Sequence, residues 1–351
     1  MSGERSPRRV EAFGPGRVNL IGEHTDYNGG LSLPFAIEAG VTVTATALDG
    51  DRVEAVARDL DEDDAFALAA PEPAEGWRAF VRGMVAELQA AGHTLRPARL
   101  EIAGSVPRGS GLSSSAALEV ALCLALLALA DADADENRLA LARLCSRVEN
   151  DWVGAQTGLL DQIAALCGRE GEAIRIDFRS LEVTPVALEL GDWRLVTVDS
   201  GEAHAHGTSG YNERRAECAA ACERLGIDTL RDATAEAVAS LPRPLRERVQ
   251  HVLDENARVE ATIAALHAGD LAEVGRLLDA SHASLRDLYA ASTAAVERTV
   301  DALRGAGAAG ARMVGGGFGG HVLGLLPPGV AVPDEAITVR PSAGARVVAR
   351  G

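Results

Sequence analysis

The segment with the clearest chemistry is residues 109–116, a glycine-rich loop that runs through three serines into a strongly apolar helix. Such a loop presents several backbone N–H groups and the positive end of a helix to one small volume, which suits a polyphosphate. The sequence contains no lysine among its 351 residues. Because the Walker-type phosphate loop and the protein-kinase scaffold each need a lysine near the phosphates, both are excluded. Any nucleotide chemistry must therefore use backbone amides, hydroxyls, a metal and arginine.

A second polar segment, residues 14–30, concentrates side chains that donate or accept several hydrogen bonds. They are Arg17, Glu23, His24, Asp26 and Tyr27. Groups of this kind suit a polyhydroxylated ligand. The alternative is a polar hairpin loop between two strands, which the glycines of the segment would fit. That alternative leaves the density of reactive side chains unexplained.

Two carboxylates follow further along the chain. Glu149, taken alone, is typical of a charge at a helix end on the surface. Asp161 differs because it lies inside the apolar stretch 159–166, where burial is costly unless a partner is supplied. A nearby cation such as Arg17 would keep it ionised and useful.

A glycine cluster at residues 315–320 formally matches G-x-G-x-x-G. The dinucleotide-binding interpretation fails on context, because a predicted helix precedes the cluster and a short predicted strand, 321–326, follows it. These glycines instead predict a close approach of the backbone to another group.

Hydrophobic periodicity places these segments on alternating strands and helices in the first half and mainly on helices after residue 212. The strands are predicted at 41–47, 98–103, 173–178, 193–198, 336–340 and 346–349. The helices are predicted at 113–130, 135–150, 213–225, 234–241, 244–266, 271–291 and 293–306. The acidic run 61–64 is interpreted as a solvated turn.

Composition limits the class of protein. The net charge of −17 argues against a nucleic-acid or anionic-membrane partner. The five cysteines form no zinc-ligand pattern and are expected to be reduced thiols. Residues 1–9 do not resemble a signal peptide, and the longest apolar run, 120–130, is too short to span a bilayer. We expect a soluble, cytoplasmic protein.

Taken together, these segments resemble the GHMP kinases. Residues 107–116 resemble the second, phosphate-binding motif of that superfamily, residues 313–320 resemble the third, and residues 16–30 resemble the signature of its galactokinase branch. The resemblance implies an α+β fold with two lobes and an active site in the cleft between them. The lobes are expected at 1–180 and 181–336, with the final strand, 337–351, returning to the first. Gly14 stands where these kinases commonly have alanine.

The resemblance also implies a role for each matched residue. ATP phosphates would be wrapped by Gly109, Ser110, Gly111, Leu112, Ser113, Ser114 and Ser115, with Trp77 lining the adenine pocket and Mg²⁺ held by Ser115 and Glu149. Sugar hydroxyls would be bound by Glu23, His24, Asp26, Gly158 and Tyr211, with Gly316 and Gly317 allowing close approach. Asp161 would lie against the anomeric hydroxyl, as a base or as an orienting group, and Arg17 between Asp161 and the transferring phosphoryl group.

The implied activity is ATP-dependent phosphorylation of galactose at its C1 hydroxyl. The alternatives are a kinase for a related sugar, such as N-acetylgalactosamine or arabinose, and a non-catalytic relative that senses sugar and ATP. We expect a monomer, with a homodimer as the alternative, and a small-molecule sugar as the binding partner.

Overall fold

The structure, a computed structural model, describes residues 8–106, 111–133, 137–202 and 207–350, with the backbone alone at 207–209. In these ranges the strands are β1 (Arg9–Asn19), β2 (Leu31–Ser32), β3 (Pro34–Ala47), β4 (Arg52–Ala57), β5 (Glu62–Ala67), β6 (Ala98–Gly104), β7 (Glu172–Asp177), β8 (Glu182–Ala187), β9 (Arg194–Asp199), β10 (Gly310–Met313), β11 (His321–Leu326), β12 (Ile337–Val339) and β13 (Arg346–Arg350). The α-helices are α1 (Trp77–Ala90), α2 (Ser114–Leu129), α3 (Arg138–Arg147), α4 (Leu160–Cys167), α5 (Gly207–Leu225), α6 (Ala235–Ser240), α7 (Leu245–Ala268), α8 (Leu271–Asp287) and α9 (Ala294–Gly305).

The largest sheet has the strand order β13–β1–β3–β6–β4–β5, and α2 packs against its β1 and β3 strands. This helix is apolar on nearly all sides and is buried along most of its length, as expected for a helix inside a core. Gly14 on β1 allows the close contact, because a Cβ atom there would lie 2.1 Å from the carbonyl oxygen of Ala117. The packing fixes the first turn of α2 beside the end of β1.

Two smaller sheets complete the architecture, with the orders β10–β11–β9–β12 and β2–β7–β8. Helices α8 and α9 pack on β10, and α7 packs on α5 and α8. The hydrophobic core continues from the large sheet into both smaller ones. The predicted α+β class is confirmed.

The end of the chain divides between two sheets. β12 pairs with β9, whereas β13 runs antiparallel to β1, with Val10 opposite Arg350 and Phe13 opposite Arg346. The predicted boundary near residue 180 falls inside the β7–β8 hairpin. We therefore propose that the division into two lobes lies between β8 and β9.

The interpretation of residues 61–64 as a solvated turn is wrong. Residues 62–67 form β5, and the Asp64 side chain is 8% exposed. Arg82 on α1 donates hydrogen bonds of 2.8 and 2.7 Å to its two carboxylate oxygens. This ion pair joins the edge strand of the large sheet to α1.

Three helices end or begin away from their predicted positions, and each difference affects the site. α3 ends at Arg147 and gives way to a π-helical turn, Val148–Val153, which carries Glu149. α8 ends at Asp287, and Ala290 has a left-handed φ of 52°, so that Tyr289 lies in the core. α5 begins before the predicted residue 213 and therefore includes Tyr211.

No helix in the described ranges has the length and apolar character needed to cross a bilayer. All five cysteines are free thiols.

Candidate active site

A cavity of about 370 Å³ collects most of the residues that the sequence singled out. This volume lies within the usual range for a small-molecule site. It is lined by Arg17, Glu23, His24, Asp26, Gly111, Ser113, Ser114, Ser115, Glu149, Ala155, Gln156, Thr157, Gly158, Leu160, Asp161, Tyr211, Asn212, Gly315, Gly316 and Gly317.

Asp161 and Arg17 form a rigid pair in this cavity. Nε and Nη2 of Arg17 each donate a 2.8 Å hydrogen bond to a different oxygen of Asp161, and the Ser113 hydroxyl donates to the same carboxylate. The Arg17 side chain is 7% exposed, whereas the Asp161 side chain is 24% exposed. The pair therefore presents the carboxylate to the cavity in a fixed orientation.

The first turn of α2 forms the second wall. Ser113 has a left-handed φ of 66° and stands at the N-cap, yet its hydroxyl makes no cap and bonds to Asp161 instead. The amides at this helix end therefore have no side-chain cap and suit an anion. The Leu112 side chain is buried in the core, and its carbonyl accepts a 3.1 Å hydrogen bond from the Arg17 amide. Gly109 and Ser110 lie outside the described residues.

Trp77 is not among the residues that line this cavity. It begins α1, and its indole N–H donates a 2.8 Å hydrogen bond to Glu62. The guanidinium of Arg78 lies 5.0 Å from the ring centroid. A role of Trp77 in adenine binding stays a prediction.

Glu23 is nearly fully buried, and its oxygens are held from three sides. Oε1 accepts a 2.7 Å hydrogen bond from the Gly315 amide and lies 3.3 Å from Nη2 of Arg312, and Oε2 accepts a hydrogen bond from Asn19. Burial raises the pKa of Glu23, and Arg312 and Arg17 oppose that rise. The carboxylate is thus fixed at the junction of β1 and the third glycine-rich motif.

The side chain of Asp26 packs closely against the backbone of Gly158 on the cavity wall. A Cβ atom at position 158 would lie 1.8 Å from Oδ2 of Asp26, so any side chain there would displace that carboxylate. Burial raises the pKa of Asp26 to about 6, with further contributions from Asp161 and Glu23. Tyr211 stands opposite Gly316, where a Cβ atom would lie 2.9 Å from its ring.

His24 uses both ring nitrogens within the protein. Nε2 lies 3.1 Å from the carbonyl oxygen of Gly316, and Nδ1 lies 2.8 Å from the hydroxyl of Tyr27. Burial lowers the pKa of His24 to about 3, and His251 lowers it further. The ring is therefore neutral at physiological pH.

Glu149 is the second carboxylate beside the start of α2. It accepts hydrogen bonds from Ser115, Thr157 (2.7 Å) and Gln162 (2.9 Å). Burial raises its pKa, and the negative charge of Asp161 adds to the effect. A hydroxyl and a carboxylate are ligands that Mg²⁺ accepts, and their position on the cavity wall fits such an ion.

In the part of the chain that the structure describes, no three or more histidine, cysteine or acidic side chains form a metal cluster. A Mg²⁺ ion that relies on water and substrate phosphates needs no such cluster.

Comparison with known proteins decides the family. The galactokinase galactose-binding signature matches residues 3–47, the GHMP kinase N-terminal domain residues 79–169, and the GHMP kinase C-terminal domain residues 262–334. The galactokinase of Mycobacterium tuberculosis (strain H37Rv) is 43% identical over 94% of this chain and 92% of its own. The chain belongs to the galactokinase family.

Other relatives agree with this assignment. The galactokinase of Roseiflexus sp. (strain RS-1) is 43% identical over 89% of this chain and 82% of its own. The crystal structure of Lactococcus lactis galactokinase complexed with galactose matches with a TM-score of 0.90 and 33% identity, over 96% of this chain and 95% of that one. The mevalonate kinase of Methanococcus jannaschii, at 17% identity and a TM-score of 0.66, shares the fold. The predicted resemblance to the GHMP kinases, and to galactokinases within them, is confirmed.

In this galactokinase-family chain, the sequence analysis did not single out two residues that lie behind Glu149. They are Glu119 and Gln162. Glu119 on α2 is fully buried, and Nε2 of Gln162 bridges it to Glu149 at 3.0 and 2.9 Å. Burial raises the pKa of Glu119 well above its usual value, and the charge of Glu149 adds to the effect. The signal was available, because an acid inside a fully apolar helix is the same anomaly that singled out Asp161.

Proposed function

We infer that this protein transfers the γ-phosphoryl group of ATP to the C1 hydroxyl of galactose, giving galactose 1-phosphate and ADP. The observation that carries this function is the position of the Arg17–Asp161 pair. It lies in one cavity with the sugar-signature carboxylates Glu23 and Asp26 and with the first turn of α2. A hydroxyl acceptor and a phosphoryl donor can therefore meet at this pair.

The sugar side of the cavity would hold galactose by its hydroxyl groups. We propose that Asp26, Glu23 and Tyr211 exchange hydrogen bonds with them, that Gly158 leaves room for Asp26, and that His24 forms part of the wall. Buried carboxylates bind hydroxyl donors strongly, and they reject a sugar that leaves one of them unpaired.

The phosphate side would hold ATP through backbone amides. We propose that residues 109–115 wrap the phosphates and that Arg17 stabilises the charge of the transferring group. Phosphoryl transfer needs positioning and charge stabilisation above all, and an arginine fork supplies both without lysine.

Asp161 would accept a hydrogen bond from the C1 hydroxyl. Its carboxylate is fixed by Arg17 and Ser113, so it can orient that oxygen toward the phosphorus. Removal of the proton as a general base and orientation alone are both compatible with this geometry.

Ser115 and Glu149 would hold Mg²⁺. When bound, the ion supplies positive charge to the phosphate oxygens. The hydrogen bonds that Glu149 accepts from Thr157 and Gln162 fix its orientation toward the cavity.

We further propose that the enzyme acts as a monomer in the cytoplasm. The cavity brings together sugar-side and phosphate-side residues of one chain, so a second copy is not needed to complete it. Five free cysteines fit a reducing compartment.

The decisive experiment measures ADP release with Mg-ATP and galactose, glucose, N-acetylgalactosamine, arabinose or mevalonate, and identifies the product by ³¹P NMR. Wild type should turn over galactose and form an anomeric phosphate. Asp161→Asn should lose about 10²–10⁴-fold in kcat if the carboxylate is a general base. Asp151→Asn, an exposed acid on the neighbouring π-helical turn, is the control and should keep full activity.

Near-normal turnover in Asp161→Asn would contradict the assigned role of this residue. Turnover of another sugar alone would mean that this sugar, and not galactose, is the substrate, while the proposed mechanism would stand. Galactose binding without turnover would indicate a sensor.

A further inference from the structure

A continuous chain of hydrogen bonds runs from the third glycine-rich motif into the core behind the sugar pocket. It begins at the Gly316 carbonyl, which lies 3.1 Å from Nε2 of His24. Nδ1 of His24 lies 2.8 Å from the hydroxyl of Tyr27, which lies 2.9 Å from the hydroxyl of Tyr289. The chain continues to the thiol of Cys218, 3.1 Å from the Tyr289 oxygen, and the Cys218 sulfur also accepts a 3.7 Å hydrogen bond from the Asn28 amide. It joins residues that are 292 positions apart in the sequence.

The four side chains of this hydrogen-bond chain are neutral, and all except the partly buried Tyr27 are shielded from water. His24, Tyr289 and Cys218 are at most 4% exposed. Burial lowers the pKa of His24 and raises the pKa values of Tyr27 and Tyr289 well above the usual range. Each group therefore keeps one fixed complement of protons near neutral pH.

The direction of every hydrogen bond follows from one carbonyl group. The Gly316 oxygen can only accept, so Nε2 of the neutral His24 ring carries the hydrogen and Nδ1 accepts. The hydroxyl of Tyr27 must then donate to Nδ1. Because a phenol has a single hydrogen, Tyr289 must donate to Tyr27, and the thiol of Cys218 must donate to Tyr289.

This assignment leaves the His24 ring without a donor or acceptor for the sugar. Its N–H is directed to the Gly316 backbone, which packs against the ring of Tyr211 on the cavity wall. We propose that Tyr289 is a positioning residue, which acts through Tyr27 and His24 to fix Gly316 and thereby the sugar side of the cavity. The His24 ring thus shapes the pocket and does not bind galactose, an inference that rests on the proposed function.

The first test is ¹⁵N NMR of the full chain labelled at its eight histidines, with the His24 signal assigned by its loss in His24→Gln. The expected result is the Nε2–H tautomer, unchanged between pH 6 and 8 and on addition of galactose. An Nδ1–H tautomer, an imidazolium, or a ring signal that changes character with galactose would overturn the inference. This measurement needs no turnover, so it is independent of whether the proposed function holds.

The second test is the kinetics of Tyr289→Phe, which removes one hydroxyl from the chain and keeps the ring. The KM for galactose should rise by about threefold to tenfold, as for the loss of one hydrogen bond, whereas kcat and the KM for ATP stay within about twofold. Cys222→Ala, one turn along α5 from Cys218, is the control and should leave all constants unchanged. An unchanged KM for galactose, or an equal loss in every constant, would show that Tyr289 is merely structural. If the variant does not fold, the tautomer of wild-type His24 decides the inference.

Discussion

The guanidinium of Arg17 donates through two of its nitrogens to both carboxylate oxygens of Asp161, 144 residues away in the sequence. A third nitrogen, Nη1, donates to the carbonyl of Gly111 at the start of the phosphate-binding wall. One planar group thus ties the sugar-facing acid to the phosphate loop. This arrangement depends on the fork geometry of arginine.

Arg17→Lys should therefore lose about 10²-fold or more in kcat, because a single ammonium cannot hold the carboxylate in two places and also contact the loop. Steady-state kinetics with saturating galactose and ATP measure the loss. Arg58→Lys, whose side chain is 59% exposed in its pair with Glu101, is the matched control and should behave as wild type. Activity within a few-fold of wild type in Arg17→Lys would show that one positive charge is sufficient.

Galactose binding should weaken below about pH 6. Burial, together with Asp161 and Glu23, raises the pKa of Asp26 to about 6, while Arg215 opposes the rise. Ionised Asp26 accepts hydrogen bonds from sugar hydroxyls, so the binding-competent form is lost as the pH falls through that value. Calorimetry without ATP at pH 5 and 7.5 should show about tenfold weaker binding at pH 5.

Galactose binding near pH 6 should also release protons from the protein, since the bound sugar favours the ionised form of Asp26. Two buffers of different ionisation enthalpy reveal that release. Asp26→Asn should bind weakly at both pH values and release none. Equal wild-type affinity at pH 5 and 7.5 would refute this role of Asp26.

Gln162→Met should raise the free Mg²⁺ concentration needed for half-maximal rate by about tenfold. The amide of Gln162 donates to both Glu119 and Glu149, and such contacts behind a metal ligand typically affect affinity to this extent. Gln89→Met removes a hydrogen bond to the Leu68 carbonyl, and because neither residue lines the cavity it serves as the control. An unaltered Mg²⁺ requirement would remove Glu149 from the proposed metal site.

Gly14→Ala should destabilise the fold by about 1–3 kcal/mol in urea unfolding, the usual cost of overpacking. The added Cβ would lie 2.1 Å from the Ala117 carbonyl oxygen and 3.0 Å from the Ala121 amide, so α2 and β1 must separate. Gly305→Ala at the end of α9, where a Cβ meets nothing within 4 Å, should be neutral or slightly stabilising. Equal stability of both variants would mean that the helix and strand adjust without strain.

Much of the fold was predictable from sequence because local patterns matched the final structure. The apolar helix after the glycine-rich loop and the strands β6, β7 and β9 lie close to their predicted positions, whereas the prediction at 41–47 covers only the second half of β3. The acidic strand β5 was not recognised, since Asp64 and Glu62 are paired by Arg82 and Arg78 from a helix that follows later in the chain. The sequence around β5 contains no pattern that indicates ion pairs with a later helix.

The residues of the candidate site divide in the same way. Most acids and glycines that line the cavity belong to short contiguous motifs, and such motifs can be recognised from the sequence. The chain from Cys218 to His24 depends on three separate segments meeting, and on the turn at Ala290 that carries Tyr289 inward. Tyr289 falls inside the helix predicted at 271–291, which in fact ends at Asp287, so the sequence pattern does not indicate its position in the core.

Arg312 on β10 is wholly buried and donates to the backbone carbonyls of Asn19 and Leu20, while Glu23 accepts from the Gly315 amide. The loop that would select the sugar and the third glycine-rich motif are therefore one interlocked unit, although they stand near opposite ends of the chain. A chimera that imports residues 16–30 from a kinase with another sugar preference would break this fit. Transfer of specificity between such enzymes requires that residues 310–317 be exchanged together with them.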